Sequence, residues 1–386
     1  MVAAAVALLL SMVALGQAAA GWIAVRRFAR QVSRPGPAGA WPPVTILKPL
    51  HGDEPLLEHA LATVCQQDYP EWQVVFGVSH AGDTALPVVK RLQARFPACD
   101  IATLIDATRH GSNGKVGNLI NMLPAAKHDV LVISDSDMQV PPDWLRRVVA
   151  ALHAPAVGLA TTIYTGLPVS SSPPPLAGGG WGEGAVATLG ALQINHYFLP
   201  GALLARAIGR QDSLGATMAL RRETLARIGG FQAVANHLAD DNVLGRLVQG
   251  LGLKVALADT IPTTTVAETS LAALWRHELR WARTIRALEP AAFAASILQY
   301  PIAWAALAIL LAGVAPWSLA WFALAWVVRA ALARGVDRAL GLANRSPLWL
   351  LPVRELMSVA VVAASFLGSR VDWRGHTMRA EGFDPR

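Results

Sequence analysis

Asp135 and Asp137, separated by Ser136, follow directly on the apolar run Val130–Ser134. Two carboxylates at the end of a buried strand can share an oxygen-seeking divalent cation with a diphosphate, so the chemistry they point to is metal-assisted transfer from a nucleotide. A surface turn or a helix N-cap uses Asp as readily, and it is the place after an apolar strand that favours a ligand site. Asp240-Asp241-Asn242 opens an apparent helix over 243–251. Its carboxylates can serve the helix terminus, or one of them can take a proton from an acceptor hydroxyl. Adjacent carboxylates point different ways, so only one can act as the base. Residues 275–283, Trp-Arg-His-Glu-Leu-Arg-Trp-Ala-Arg, read as a helix. It is either an interfacial belt of Trp and snorkelling Arg or a phosphate clamp, because Arg presents a planar fork of donors.

The elements that must position these groups alternate. Apolar runs at 44–47, 74–79, 101–105, 130–134 and 157–161 read as strands, and helical periodicity fills 55–66, 86–96, 115–123 and 142–152. The pattern predicts an α/β domain with a mostly parallel sheet, in which ligands bind beyond the carboxyl ends of the strands. Lys48-Pro49-Leu50-His51-Gly52, Ser79-His80-Ala81-Gly82-Asp83 and Asp135-Ser136-Asp137 stand at three of those ends. Residues 171–180, rich in Ser, Pro and Gly, read as a mobile loop. The apolar stretch 185–210, interrupted by Asn195-His196 and Pro200-Gly201, reads as an interfacial or broken helix beside a lipid acceptor, or else as a buried core helix. His196 could contact acceptor or diphosphate there, although a core or capping histidine is the commoner use.

Composition locates the domain. Only 15% of the 386 residues are charged against 53% hydrophobic, and the charges thin out towards both ends. Soluble domains carry roughly 25% charge, so membrane segments are expected to flank a soluble middle. Residues 1–25 hold no charge and are followed by Arg26, Arg27 and Arg30. Because the arginines come after the apolar run, a retained anchor is expected rather than a cleaved signal peptide, with the next domain cytoplasmic. Residues 290–333 are expected to form a transmembrane hairpin turning at Gly313-Val314-Ala315-Pro316, with both ends cytoplasmic. A third apolar segment, 347–369, carries Arg354 and Glu355 and is left open between a span and a re-entrant helix. The net charge of +7 suits anionic lipid or phosphate-bearing substrates. No basic run interleaves with aromatics, so nucleic acid is not an expected partner. Cys65 and Cys99 lack the spacing of a zinc site or a disulfide framework.

Taken in order, these residues resemble the membrane-bound family-2 and family-21 type glycosyltransferases. The nearest likeness is to the ceramide glucosyltransferase group and its bacterial hopanoid-associated relatives. The resemblance covers about 44–286 and the flanking anchors. It implies a GT-A-type, Rossmann-like domain at 40–288 with flanking transmembrane and interfacial helices, in a multi-pass protein of a bacterial inner membrane. It gives Asp83 to uridine recognition, Asp135 and Asp137 to the Mg²⁺ or Mn²⁺ and diphosphate site, and Asp241, after its acidic neighbour Asp240, to the catalytic base. Lys48 in Leu47-Lys48-Pro49-Leu50-His51-Gly52 and Lys115 in Asn113-Gly114-Lys115-Val116-Gly117-Asn118 fall in the donor-side segments. Arg280 and Trp281 close the motif, where His277 stands in place of the usual Gln or Arg. The implied reaction is inverting transfer from a UDP-sugar to a membrane lipid hydroxyl. The best match is UDP-N-acetylglucosamine with a hopanoid polyol, and the nearest alternative is UDP-glucose with ceramide or diacylglycerol. A membrane-anchored binding protein without turnover is the reading from another class.

Overall fold

The structure is a computed structural model. It describes all residues except 1, 35, 37, 38, 40, 170–182, 343–345, 374, 375 and 380–386. The expected loop at 171–180 therefore lies outside the described residues. Strands run as β1 (Val44–Pro49), β2 (Trp72–Val78), β3 (Asp100–Ile105), β4 (Val130–Ser134), β5 (Met138–Gln139), β6 (Val157–Thr161), β7 (Thr165–Pro168), β8 (Thr217–Arg221), β9 (Lys254–Leu257), β10 (Thr263–Val266), β11 (Arg370–Trp373) and β12 (His376–Arg379). The helices are α1 (Val2–Val32), α2 (Leu57–Val64), α3 (Leu86–Arg95), α4 (Gly114–Met122), α5 (Trp144–Leu152), α6 (Glu183–Gln193), α7 (Leu199–Ala207), α8 (Arg222–Arg227), α9 (Asp240–Gly250), α10 (Leu271–Leu288), α11 (Pro290–Ala295), α12 (Pro301–Leu311), α13 (Pro316–Leu340) and α14 (Leu351–Ser365). They fall into two compact units: 32–167 with 209–267, and 1–31 with 168–208 and 268–386.

The first unit is an α/β domain built on a seven-stranded sheet in the order β3-β2-β1-β4-β8-β6-β9. β1 to β4 pair in parallel, β8 runs antiparallel to both β4 and β6, and β6 is parallel to β9. β1, β4 and β6 are buried along their whole length, as expected of strands covered on both faces, which read as continuous apolar runs. Ile46, Phe76 and Val132 pack with Leu61, Val89, Trp144 and Val148 in one core. In α5 the buried positions Trp144, Leu145, Val148, Val149 and Leu152 recur at helical spacing. The second, smaller sheet is β5-β10-β7.

The other unit is helical. α1, α13 and the segment Leu348–Ser365 are each long and apolar enough to cross a membrane. α1 is one 31-residue helix that carries Arg26, Arg27 and Arg30 in its last turns. The first limb of the expected hairpin is not a straight rod: Pro290–Gln299 and Pro301–Leu311 are bent by 72°. Pro301 begins the second piece, where a proline lacking an N–H is tolerated but cannot continue the helix before it. The stretch expected to be broken at 195–201 is instead continuously helical. α6 widens into a π-turn at Ile194–Phe198 and runs on as α7. Such single π-turns accommodate an extra residue within a helix, and here Asn195, His196 and Tyr197 are all buried.

Candidate active site

The carboxyl ends of β1, β2 and β4 lie side by side because those strands are parallel neighbours, and each delivers a functional segment. The Asp-x-Asp turn after β4 is held from beneath by Lys48 at the end of β1. The Lys48 ammonium is fully buried and donates to the backbone carbonyls of Asp135 at 2.6 Å and Met138 at 3.4 Å. Burial lowers its pKa to about 8, against the opposing pull of Asp137, Asp135 and Glu54. The Lys48 ammonium thus shapes the turn that carries the aspartates.

Within the turn, Ser136 donates to Glu54 Oε2 at 2.7 Å, and Asp137 accepts a short hydrogen bond from the Thr264 hydroxyl on β10. Burial, then the charge of Asp135, pushes the Asp137 carboxyl up to about 6. Asp135 is half-buried, and its Oδ1 lies 2.6 Å from Lys115 Nζ. A divalent cation fits this donor set, since it would relieve the repulsion between two neighbouring carboxylates. Among the described residues no group of three or more His, Cys, Asp or Glu could hold a metal by itself. Asp135 and Asp137 would hold the ion, with further oxygens from a phosphate, as Mg²⁺ sites commonly have.

Lys115 occupies the first turn of α4, and the loop 235–240 is stitched to that helix start. Asn113 caps α4 by accepting from Val116 N at 3.1 Å, while its amide donates to His237 O at 2.8 Å and reaches Asp240 Oδ1 at 3.4 Å. The approach is close enough to require glycine at 111, where a Cβ would stand 2.5 Å from Ala235 O. The stitching brings α9, and with it Asp240 and Asp241, to Lys115, whose Nζ is 3.7 Å from Asp240 Oδ2. Neither aspartate stands at the N-cap of α9, which is Ala239, but Asp241 Oδ1 accepts from Asn242 N in the first turn at 2.8 Å. Burial and its acidic neighbour Asp240 raise Asp241 to about 6, and Asp240 is raised chiefly by burial. For Lys115 burial works downward, but Asp135 and Asp240 outweigh it, so its pKa stands above the usual lysine range.

Asp83 follows β2. Its Oδ1 accepts from Gly52 N at 3.0 Å and Ala85 N at 2.9 Å, whereas Oδ2 is buried with no hydrogen-bond partner among the described residues. Asp83 therefore fixes the loop after β1 and keeps one acceptor oxygen in reserve. The sequence reading missed Glu54, Asn113, Thr264 and Tyr164. Burial, then the charges of Asp137, Asp241 and Asp135, raises the Tyr164 hydroxyl far above the usual phenol range, which keeps it a neutral donor. Asn113 opens the segment 113–118 already singled out, and Glu54 stands two residues beyond 48–52; Thr264 and Tyr164 had no local signal.

Arg280, Trp281, His277 and His196 belong to the helical unit. On α10 the buried positions are Leu274, Glu278 and Ala282, one stripe at four-residue spacing. At 3.6 residues per turn, His277, Arg280 and Trp281 share a different face. His277 Nδ1 pairs with Glu268 through a short contact, and its ring stacks edge-on against Trp281 at 4.8 Å. His196 is a core histidine. Its Nε2 lies 2.9 Å from Ser346 Oγ and 3.2 Å from Asp337 Oδ1, with its side chain wholly buried.

The model of glycosyl transferase family 21 matches residues 3–382. Among curated relatives, a ceramide glucosyltransferase of Komagataella phaffii is 34% identical over 115 residues, which are 28% of this chain and 22% of that protein. Ceramide glucosyltransferase 1 of Caenorhabditis elegans is 22% identical over 64% of this chain and 51% of its own length. A β-monoglucosyldiacylglycerol synthase of Synechocystis is 25% identical over 63% and 47%. The chain thus spans about half the length of these last two relatives. Among solved structures, a mannosyltransferase of Pyrobaculum calidifontis in complex with GDP-Man and Mn²⁺ superposes with a TM-score of 0.52 at 20% identity, covering 94% of this chain and 99% of that one. This likeness shows the GT-A-like fold.

Proposed function

The chain belongs to glycosyl transferase family 21, and from that premise we propose that it moves a hexose from a UDP-sugar to a hydroxyl of a membrane lipid, with inversion at the sugar C1. The observation that carries this reading is the convergence of Asp135, Asp240 and Asp241 around Lys115, with Asp137 beside Asp135, at the carboxyl ends of the strands. Asp83 Oδ2, which makes no hydrogen bond among the described residues and has His80 Nε2 3.8 Å away, would accept from a uridine N–H or O–H. Asp135 and Asp137 would hold Mg²⁺ or Mn²⁺, which when bound shields the diphosphate. Lys115 adds a second positive charge there. Asp241, raised to about 6, is a stronger base than an ordinary carboxylate while still ionised at neutral pH, as taking the acceptor proton requires. Arg280 and Trp281, in the motif that the family resemblance assigns to the donor, would stabilise the leaving diphosphate.

A bacterial inner-membrane protein with its α/β unit in the cytoplasm has UDP-sugars on the correct side. For donor and acceptor, the resemblance favours UDP-N-acetylglucosamine and a hopanoid polyol such as bacteriohopanetetrol. The names of the relatives support a second pairing, UDP-glucose with ceramide or diacylglycerol. Membranes holding the protein, supplied with Mn²⁺, each labelled UDP-sugar and each lipid, will yield one glycolipid identifiable by mass spectrometry. Asp241→Asn will lower transfer by roughly 10²- to 10⁴-fold with UDP affinity retained. Wild-type turnover in that variant removes the base assignment, and UDP binding without product from any pair leaves the non-enzymatic reading.

A further inference from the structure

We propose that Lys115 and a divalent cation are alternative partners of Asp135, so that the site takes up the cation together with the nucleotide diphosphate and disfavours the cation alone. The inference rests on the glycosyltransferase reading, because the diphosphate is what releases the lysine.

The geometry is specific. Lys115 Nζ stands 2.6 Å from Asp135 Oδ1, the contact distance of a charge-assisted hydrogen bond. A metal ion ligated by the same oxygen would sit against the ammonium, and the two positive charges would repel with little water to screen them, since the lysine side chain is only 14% exposed. Lys115 has a second partner within reach, Asp240 Oδ2 at 3.7 Å. It can therefore leave Asp135 without becoming an unpaired buried charge. A diphosphate changes the balance twice over. It gives the ammonium new oxygens, and it gives the cation the ligands that Asp135 and Asp137 alone do not supply. Lys48 cannot play this part, since its ammonium is held under the turn by the carbonyls of Asp135 and Met138. Among the described residues, Asp137, Glu54 and Asp241 also face this region and would draw a cation in; Lys115 opposes its entry.

The test uses the full chain in detergent, with Mn²⁺ and UDP as probes and calorimetry or manganese resonance as the readout. Wild type will bind Mn²⁺ at least tenfold more tightly with UDP present than without it. Lys115→Met will bind Mn²⁺ alone at least tenfold more tightly than wild type, and UDP with Mn²⁺ at least tenfold less tightly, so that the coupling collapses. Lys115→Arg will keep most of it. A Lys115→Met chain that binds free Mn²⁺ no better than wild type overturns the proposal. Should the Met variant not fold, the wild-type measurement decides alone: equal Mn²⁺ affinity with and without UDP also overturns it. Loss of neither Mn²⁺ nor UDP binding in Asp135→Asn/Asp137→Asn would instead mean that the glycosyltransferase site has been misplaced, a result separable from the behaviour of Lys115.

Discussion

Both units bury charge, but they balance it differently. In the helical unit Arg354 forks onto Glu278 with two contacts of 2.7 Å, Arg334 meets Asp337 at 2.9 Å, and Arg329 lies 3.6 Å from Glu355. Each carboxylate has an arginine, and the remaining lone pairs are also used. Glu355 accepts from Ile302 N, Ala303 N and the Tyr197 hydroxyl, and so closes the exposed end of α12 at the 72° bend. In the α/β unit five carboxylates, Glu54, Asp135, Asp137, Asp240 and Asp241, crowd around two lysines, Lys48 and Lys115. A network in which each carboxylate meets an arginine is a way to hold apolar helices in one register. An acidic excess at a strand edge costs stability unless something positive arrives, and such an imbalance marks a ligand site.

Breaking one pair in the balanced network will therefore have the largest effect. Glu278→Ala strands the Arg354 guanidinium, which is wholly buried, and will destabilise the protein by roughly 3–5 kcal/mol, measured by denaturant unfolding in detergent. Replacing both partners with methionine will restore most of that loss. The same assay applied to Asp137→Asn will show stability unchanged or raised, since the substitution removes one of several like charges. A Glu278→Ala variant as stable as wild type would erase the distinction between the two regions.

The acidic excess also has a pH signature. Asp137 and Asp241 both stand at about 6, above their value of roughly 4 in an unfolded chain. Their contribution to stability is thus fully present below about pH 4 and lost as the pH rises through 6. Turnover, which needs both ionised, moves the other way. Between pH 7 and pH 5 it will fall by up to about a hundredfold, or about tenfold when saturating Mn²⁺ keeps Asp137 ionised. Urea midpoints over the same interval will move towards stability, and that movement will shrink in Asp137→Asn. If turnover is flat down to pH 5, Asp241 is not the base.

What the sequence made legible, and what it hid, follows the same division. β1, β2, β4 and β6 were readable because strands buried on both faces are apolar runs, and β3, at the sheet edge and partly exposed, because it is a short apolar run. β8, Thr217–Arg221, and β10, Thr263–Val266, carry too much threonine and arginine, in runs too short, to stand out. The aspartates announced themselves by standing at strand ends and in a known order of motifs. For Lys48 the motif fixes the residue type but not whether its ammonium points out to a ligand or under a turn, where the structure puts it. Arg354 and Glu355 were recognisable as costly within an apolar segment, yet the partner of Arg354, Glu278, stands 76 residues earlier. His196 and Ser346 are 150 residues apart. Pairings at such separations are made by packing, and no local pattern encodes them.

The finest test concerns a residue with no charge. Gly215 precedes β8, and a Cβ there would lie 2.9 Å from Asp241 Oδ2 and 3.3 Å from its Cβ and Cγ. Two of those contacts are to the root of the side chain, so Asp241 cannot rotate clear and must shift as a whole by a few tenths of an ångström. Gly215 is not among the glycines of positive φ, so alanine strains no backbone there, and its effect on folding will be small. Its effect on the chemistry will not be: a displaced base loses its line to the acceptor hydroxyl, and Gly215→Ala will lower kcat by about tenfold. UDP affinity and unfolding midpoint should stay near wild type. A loss of stability with unchanged kcat in the folded fraction would mean that the strand edge tolerates movement of Asp241, and that its position is set by scaffold packing rather than by the demands of proton transfer.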